Sequence, residues 1–95
     1  MTKLEIITDE KKLPTLKEAQ EFVGGYIEAI TFPNDDLLII NEEGKLKELP
    51  YNKDASEVWV SHFGTSAVVT DNGMTDAIVG DALLIKADAR DGERW

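Results

Sequence analysis

Apolar residues recur along this chain with two periods, one near two and one near 3.6, and the switches between them outline the elements. Leu4–Ile7 (LEII) reads as a short first strand. After a charged linker over residues 9–14, Thr15 and Glu18 stand at capping-box spacing, each side chain placed to satisfy the other's exposed backbone N–H. Leu16, Ala19, Phe22 and Val23 then share one helical face, and Gly24-Gly25 stops the helix with the left-handed conformation a C-terminal cap requires. Residues 26–32 alternate as a strand, with Ile27, Ala29 and Thr31 on one side and Tyr26, Glu28, Ile30 and Phe32 on the other. Pro33, Asn34, Asp35 and Asp36 form a turn.

Residues 37–40 (LLII) are continuously apolar, as expected of a strand covered on both faces. Asn41, Glu42, Glu43 and Gly44 turn the chain, with Gly44 at the positive φ that closes a short hairpin. Residues 45–49 return as a strand with Leu46 inward. Pro50 and Tyr51 break the pattern, and Asn52 or Asp54 caps a second helix carrying Ala55, Val58, Trp59 and Phe63 on one face and ending at Gly64. Residues 67–70 suit a strand. Asn72-Gly73 signals a hairpin turn if residues 74–79 pair back, and a loop is the alternative because Asp71, Thr75 and Asp76 interrupt the pattern. Residues 78–86 (IVGDALLIK) form the last strand system, bent at Gly80-Asp81. Residues 87–95 are a polar tail that frays unless Trp95 docks. The expected fold is one α+β domain over residues 1–86: a mostly antiparallel sheet of four to six strands with two helices, in the rough order β-α-β-β-β-α-β-β.

The composition, 42% hydrophobic and 31% charged over 95 residues, fits one globular domain with a modest core. Cysteine is absent, which removes disulfides, thiolate metal sites and cysteine nucleophiles. The start of the chain has no apolar signal core and no run is long enough to span a membrane, so a cytoplasmic location is expected. Nineteen acidic against ten basic residues leave a net charge of −9. That charge opposes direct binding to nucleic acid and to anionic membranes, since no basic stripe exists to release counterions. It serves solubility, and it also creates a surface suited to basic protein patches, in the limit a mimic of nucleic-acid charge.

Catalytic patterns are scarce. His62 is the single histidine, and on the second helix near Trp59 and Phe63 its expected role is packing or surface. No phosphate-cradling glycine loop occurs, and Gly24-Gly25 follows a helix where a phosphate loop precedes one. The carboxylate pairs Asp35-Asp36 and Glu42-Glu43 and the Asp71–Asp76 pair lack the spacing of an acid–base couple, and Asp71-Asn72-Gly73 lacks the remaining ligands of a calcium loop. No metal and no cofactor is expected. Tyr51, beside Asn52 and Asp54, could stack on a flat ligand, whereas helical spacing with Ala55 and Val58 favours Trp59 as core.

Four segments in order, EFVGGYIE (21–28), INEEGKLKELPYN (40–52), DASEVW (54–59) and IVGDALLI (78–85), resemble a small domain family of unknown function found in bacteriophages, tailed cyanophages among them, and in bacterial mobile elements. The resemblance covers most of the chain except its two ends. The matching positions are Gly24, Gly25, Glu28, Asn41, Glu42, Glu43, Gly44, Asn52, Ala55, Gly80 and Asp81. Lys53 fits the family's basic residue after the second-motif asparagine, but acidic Asp54 follows it. The resemblance implies a phage or mobile-element accessory protein and brings no catalytic residues with it.

The function expected from these readings is a small, acidic, non-enzymatic binding protein that acts on a host protein, in host takeover or counter-defence. The candidate binding residues are Asp35, Asp36, Asn41, Glu42, Glu43, Tyr51, Asn52, Asp54 and Asp81. The expected partner is a host protein with a basic patch, steered by an acidic rim of Asp35, Asp36, Glu42 and Glu43. The alternative is a homo-oligomeric sponge that sequesters a small nucleotide-like signal at a subunit interface.

Overall fold

The computed structural model describes residues 2–44, 46–63, 78–93 and 95. Among them, four strands, β1 (Leu4–Ile7), β2 (Ile27–Thr31), β3 (Leu37–Asn41) and β4 (Ala82–Ile85), form one sheet in the order β1-β4-β3-β2. β2–β3 and β3–β4 are antiparallel, and β1–β4 is parallel. Two helices, α1 (Leu16–Val23) and α2 (Lys53–Phe63), lie on opposite faces of this sheet. The fold is α+β, as expected, with a mixed sheet and fewer strands than the full order anticipated. Among the described residues, no helix is long and apolar enough to cross a membrane.

The two-sided arrangement explains the two unbroken apolar runs. β3 and β4 sit in the middle of the sheet, so alternate side chains enter alternate cores. Leu37, Ile39, Leu83 and Ile85 meet Ala19 and Val23 of α1, with Ile7 and Leu13. Leu38, Leu84 and Ala82 meet Ala55 of α2, with Phe32 and Ile78. β2 keeps one apolar side chain for each core, Ile27 on the α1 side and Ile30 on the α2 side, as its alternation implies.

Local signals hold where they depend on near neighbours. Thr15 caps α1 in a complete capping box: Glu18 N donates to Thr15 Oγ1 at 3.1 Å and Thr15 N donates to Glu18 Oε1 at 2.9 Å. Gly24, at φ +83°, ends the helix. Leu16 is the exception on the expected apolar face, since it stands exposed in the first turn. The turn at residues 33–36 closes the β2–β3 hairpin: Phe32 N donates to the Asp36 carbonyl, Asp35 N to the Phe32 carbonyl, and Asp36 N to Asn34 Oδ1.

The returning strand expected over residues 45–49 does not form at the described residues 46–49. Residues 46–48 continue a chain of turns, with Lys47 N donating to the Glu43 carbonyl and Leu49 N to the Gly44 carbonyl, both at 3.0 Å. Leu46 is 84% exposed instead of inward. The reason is competition for edges: β3 already has β2 on one side and β4 on the other, so no ladder remains for a third neighbour. Gly44 does not take a positive φ; Glu48 does, at +54°. Glycine suits position 44 because a Cβ there would stand 2.9 Å from Val79 Cγ2.

Gly80 bends the entry to β4 at φ +77°. At the C-terminus, Trp95 docks: its indole Nε1 donates to the Pro14 carbonyl at 2.8 Å, and Arg90 Nε donates to the Trp95 carbonyl at 2.6 Å. The expected stop at Gly64, the strand at residues 67–70 and the Asn72-Gly73 turn lie outside the described residues, as does the Phe63 side chain.

Candidate binding cleft

Three local devices build a cleft at one end of the α2 face. The first is Asn52. Its Oδ1 accepts from Ala55 N at 3.1 Å, which makes it the N-cap of α2. Its Nδ2 donates to the Lys3 carbonyl at 2.9 Å and the Gly80 carbonyl at 2.8 Å. One buried side chain thus ties the helix start to the segments entering β1 and β4. The second is Ser56, whose Oγ accepts from Ile78 N at 2.9 Å and fixes Ile78 and Val79 beside α2. The third is Asn41. Its Nδ2 donates to the Val23 carbonyl at 3.0 Å and its Oδ1 accepts from Glu43 N at 2.8 Å, so the turn leaves β3 with Glu42 and Glu43 exposed.

The resulting cleft has a volume of about 310 Å³. Its apolar wall consists of Ile30, Ile40, Trp59, Ile78 and Val79, with Leu46 at the lip. Among the described residues its charged groups are Glu28, Glu42 and Glu43, all of one sign. Glu28 pairs across the ladder with Ile40, which places its carboxylate on the α2 side, where alternation put it. A wider hollow of about 450 Å³ on the other face mixes Glu5 and Glu18 with Lys11 and Lys12, so its charges offset one another.

The sequence-derived candidates divide into separate groups. Glu42 and Glu43 flank the cleft, joined by Glu28. Asp35 lies exposed at the opposite end of the β2–β3 hairpin, one strand length or roughly 15 Å away, so the four-residue acidic rim does not exist. Asp36 is buried: Lys86 Nζ donates to Oδ2 at 2.6 Å, Asn34 Nδ2 to Oδ2 at 3.0 Å, and Ala87 N to Oδ1 at 2.8 Å. Burial raises its pKa, but the bonds from Lys86, Ala87 and Asn34 outweigh that and hold the carboxyl below its ordinary value. It pins the hairpin to the end of β4 and offers nothing to a partner. Asn41 and Asn52 are likewise buried and engaged with backbone, so they position other groups. Asp81 accepts from Lys3 N at 2.9 Å. Tyr51 and Asp54 are exposed, outside the cleft.

Sequence reasoning missed Glu28, Ile30, Ile40 and Leu46 as site residues. The signal was a single glutamate between apolar positions on a strand side that should face a helix. His62 stacks on Phe32, with ring centroids 4.1 Å apart and planes 9° from parallel. Among the described residues, no three His, Cys, Asp or Glu side chains gather as a metal cluster.

Most positions that carry the resemblance fall at this end of the sheet, where Gly25, Asn41, Gly44, Asn52, Gly80 and Asp81 pack or bond against one another's segments. A Cβ on Gly25 would stand 3.1 Å from Asn41 Nδ2, and one on Gly80 would stand 2.8 Å from Leu49 Cδ1. Those residue types therefore have structural reasons that require no ligand. No curated protein and no solved structure matches the chain. A family model does, over residues 2–94: the chain belongs to the domain of unknown function DUF3846.

Proposed function

We propose that this protein is a non-enzymatic binding module whose cleft takes a basic segment of a partner protein. The observation that carries this reading is an apolar wall of five side chains bordered by three carboxylates, with no lysine or arginine among the described lining residues. An apolar anchor gains burial there, while a neighbouring lysine or arginine meets Glu28, Glu42 or Glu43. The net charge of −9 steers such a partner toward the protein before contact. The phage and mobile-element setting implied by the family resemblance makes a host cytoplasmic protein the class of partner, with host takeover or counter-defence as the biological role. A phosphorylated nucleotide would bring its charge against the same three carboxylates, so the cleft supports the sponge reading poorly.

A random peptide library selected on the immobilised protein tests this. Enriched peptides should carry an apolar residue close to lysine or arginine. They should lose at least tenfold in affinity against Glu42→Lys/Glu43→Lys, and weaken as salt rises toward ~1 M. Enrichment of acidic or neutral peptides, or affinity unchanged by both the double reversal and salt, would refute the reading.

A further inference from the structure

The outer edge of β2 runs along the cleft. β2 is the last strand in the sheet order, and among the described residues nothing pairs with its outer side. The direction of its backbone groups follows from the ladder ends. Glu42 N donates to the Tyr26 carbonyl and Phe32 N donates to the Asp36 carbonyl. Even-numbered residues therefore face β3, and the N–H and C=O groups of Ile27, Ala29 and Thr31 point outward. These are the donors and acceptors that an added strand needs. The side chains between them, Glu28 and Ile30, are the two from β2 that line the cleft.

We propose that the basic partner segment binds as an extended strand, antiparallel to β2 along its outer edge, seating an apolar side chain opposite Ile30 and a basic one opposite Glu28. This rests on the cleft being the binding site and adds how the site is read. An added strand that exchanges hydrogen bonds with Ile27, Ala29 and Thr31 meets Glu28 and Ile30 in non-hydrogen-bonded pairs. There the Cα atoms approach to ~4.5 Å and cross-strand side chains touch most closely. Main-chain bonds then supply affinity and the alternate side chains supply selectivity. Read from its N-terminus, the segment has the pattern apolar, any, basic, any, basic. The second basic residue falls opposite Tyr26, whose carbonyl is bonded to Glu42 N, beside Glu42 and Glu43.

Charge decides the occupant. A second copy pairing about Ala29 would bring together two chains of net charge −9 and would set Glu28 against the copy's Ile30, leaving the carboxylate without a cation. A basic segment answers the carboxylate and the net charge at once.

The test uses the full-length protein and the peptide acetyl-VTITKTK-amide, in which isoleucine meets Ile30 and the first lysine meets Glu28. Titration followed by amide NMR should give a dissociation constant on the order of 0.1–1 mM, with the Ala29 and Thr31 amides among the most perturbed. N-methylation of the threonines opposite Ala29 and Ile27 should weaken binding about 10- to 30-fold, because it blocks the bonds to the edge. N-methylation at the isoleucine and first lysine, whose amides point away from β2, should cost less than about threefold on the same reasoning. Ala29→Pro removes one outward donor from the protein without touching the β2–β3 ladder, and its binding should fall similarly. Equal binding by both N-methylated peptides would overturn strand addition while the cleft reading stands. A library that yields cleft-dependent basic peptides while this peptide leaves the β2 amides unmoved would overturn it as well. If neither the library nor this peptide binds, both readings fail.

Discussion

Replacing Asn52 probes the joint on which the cleft depends. Asn52 is 2% exposed and its side chain makes three hydrogen bonds: it caps Ala55 N and donates to the carbonyls of Lys3 and Gly80. Asn52→Ala removes a helix cap, a loss of ~0.5–2 kcal/mol, and two further hydrogen bonds at about 1 kcal/mol each, those to the Gly80 carbonyl and to the Lys3 carbonyl, which keeps Ala82 N. The expected destabilisation is therefore about 2–4 kcal/mol, a large share of a small domain's stability. Urea titration should show it as a lower midpoint at unchanged slope, and the melting temperature should fall by roughly 10–30 °C. Asn52→Asp separates the two roles. It keeps the capping oxygen but turns a second oxygen toward the carbonyls 2.9 and 2.8 Å away, where only the protonated acid can donate. The folded pKa of that aspartate is thus raised. Its stability is highest below the ordinary carboxylate pKa near ~4 and is lost as pH rises through the raised value. Asn52→Ala within about 0.5 kcal/mol of wild type, or Asn52→Asp as stable as wild type at pH 7, would refute the assignment of Asn52 as the joint.

Asp36 titrates with the opposite sign: its folded pKa is depressed, so its contribution is full above about pH 4 and is lost as pH falls through the folded value. Asp36→Asn should cost about 1–3 kcal/mol near neutral pH and flatten the acid limb of a stability–pH curve; an unchanged acid limb would contradict this. Gly80→Ala forces a side chain into φ +77° with its Cβ 2.8 Å from Leu49 Cδ1, and should lose roughly 1–3 kcal/mol in thermal melts. Leu46→Asp should change stability by less than about 0.5 kcal/mol, because the residue is exposed; a loss above ~2 kcal/mol would restore the inward-facing strand.

The elements read correctly from sequence share a property. Thr15 and Glu18 sit three residues apart and Asn34 and Asp36 two apart, and Asn52, one of the two caps the sequence offers for α2, sits three from Ala55; each pair's bond is made within one turn. The run LLII predicted a strand covered on both faces because unbroken apolarity leaves no side suited to water, and IVGDALLIK predicted the last strand. The failures involve distance. Residues 45–49 carry a strand pattern, and the occupancy of both β3 edges denies them the hairpin with β3 that the pattern suggests. Asp36 reads as a surface acid beside Asp35, and only Lys86, 50 residues away, makes it a buried anchor. The sequence leaves open whether Trp95 docks, and Pro14, 81 residues away, holds it.

Taken alone, then, the amino-acid order determined the α+β character, the Thr15–Glu18 capping box, the hairpin turn at residues 33–36 and the acidity, since each follows from composition or from bonds spanning a few positions, whereas the choice between Asn52 and Asp54 as the cap of α2 fell to the tertiary structure. Tertiary structure decided which strands are neighbours, including the parallel β1–β4 pair whose partners Leu4 and Ala82 stand 78 positions apart. It also decided which acids are buried, and that Glu28 joins Glu42 and Glu43 around an apolar cleft. The physical reason is that strand pairing is a competition. Each strand offers two edges, several segments could occupy them, and the outcome depends on the burial of the whole sheet rather than on any one segment's preference.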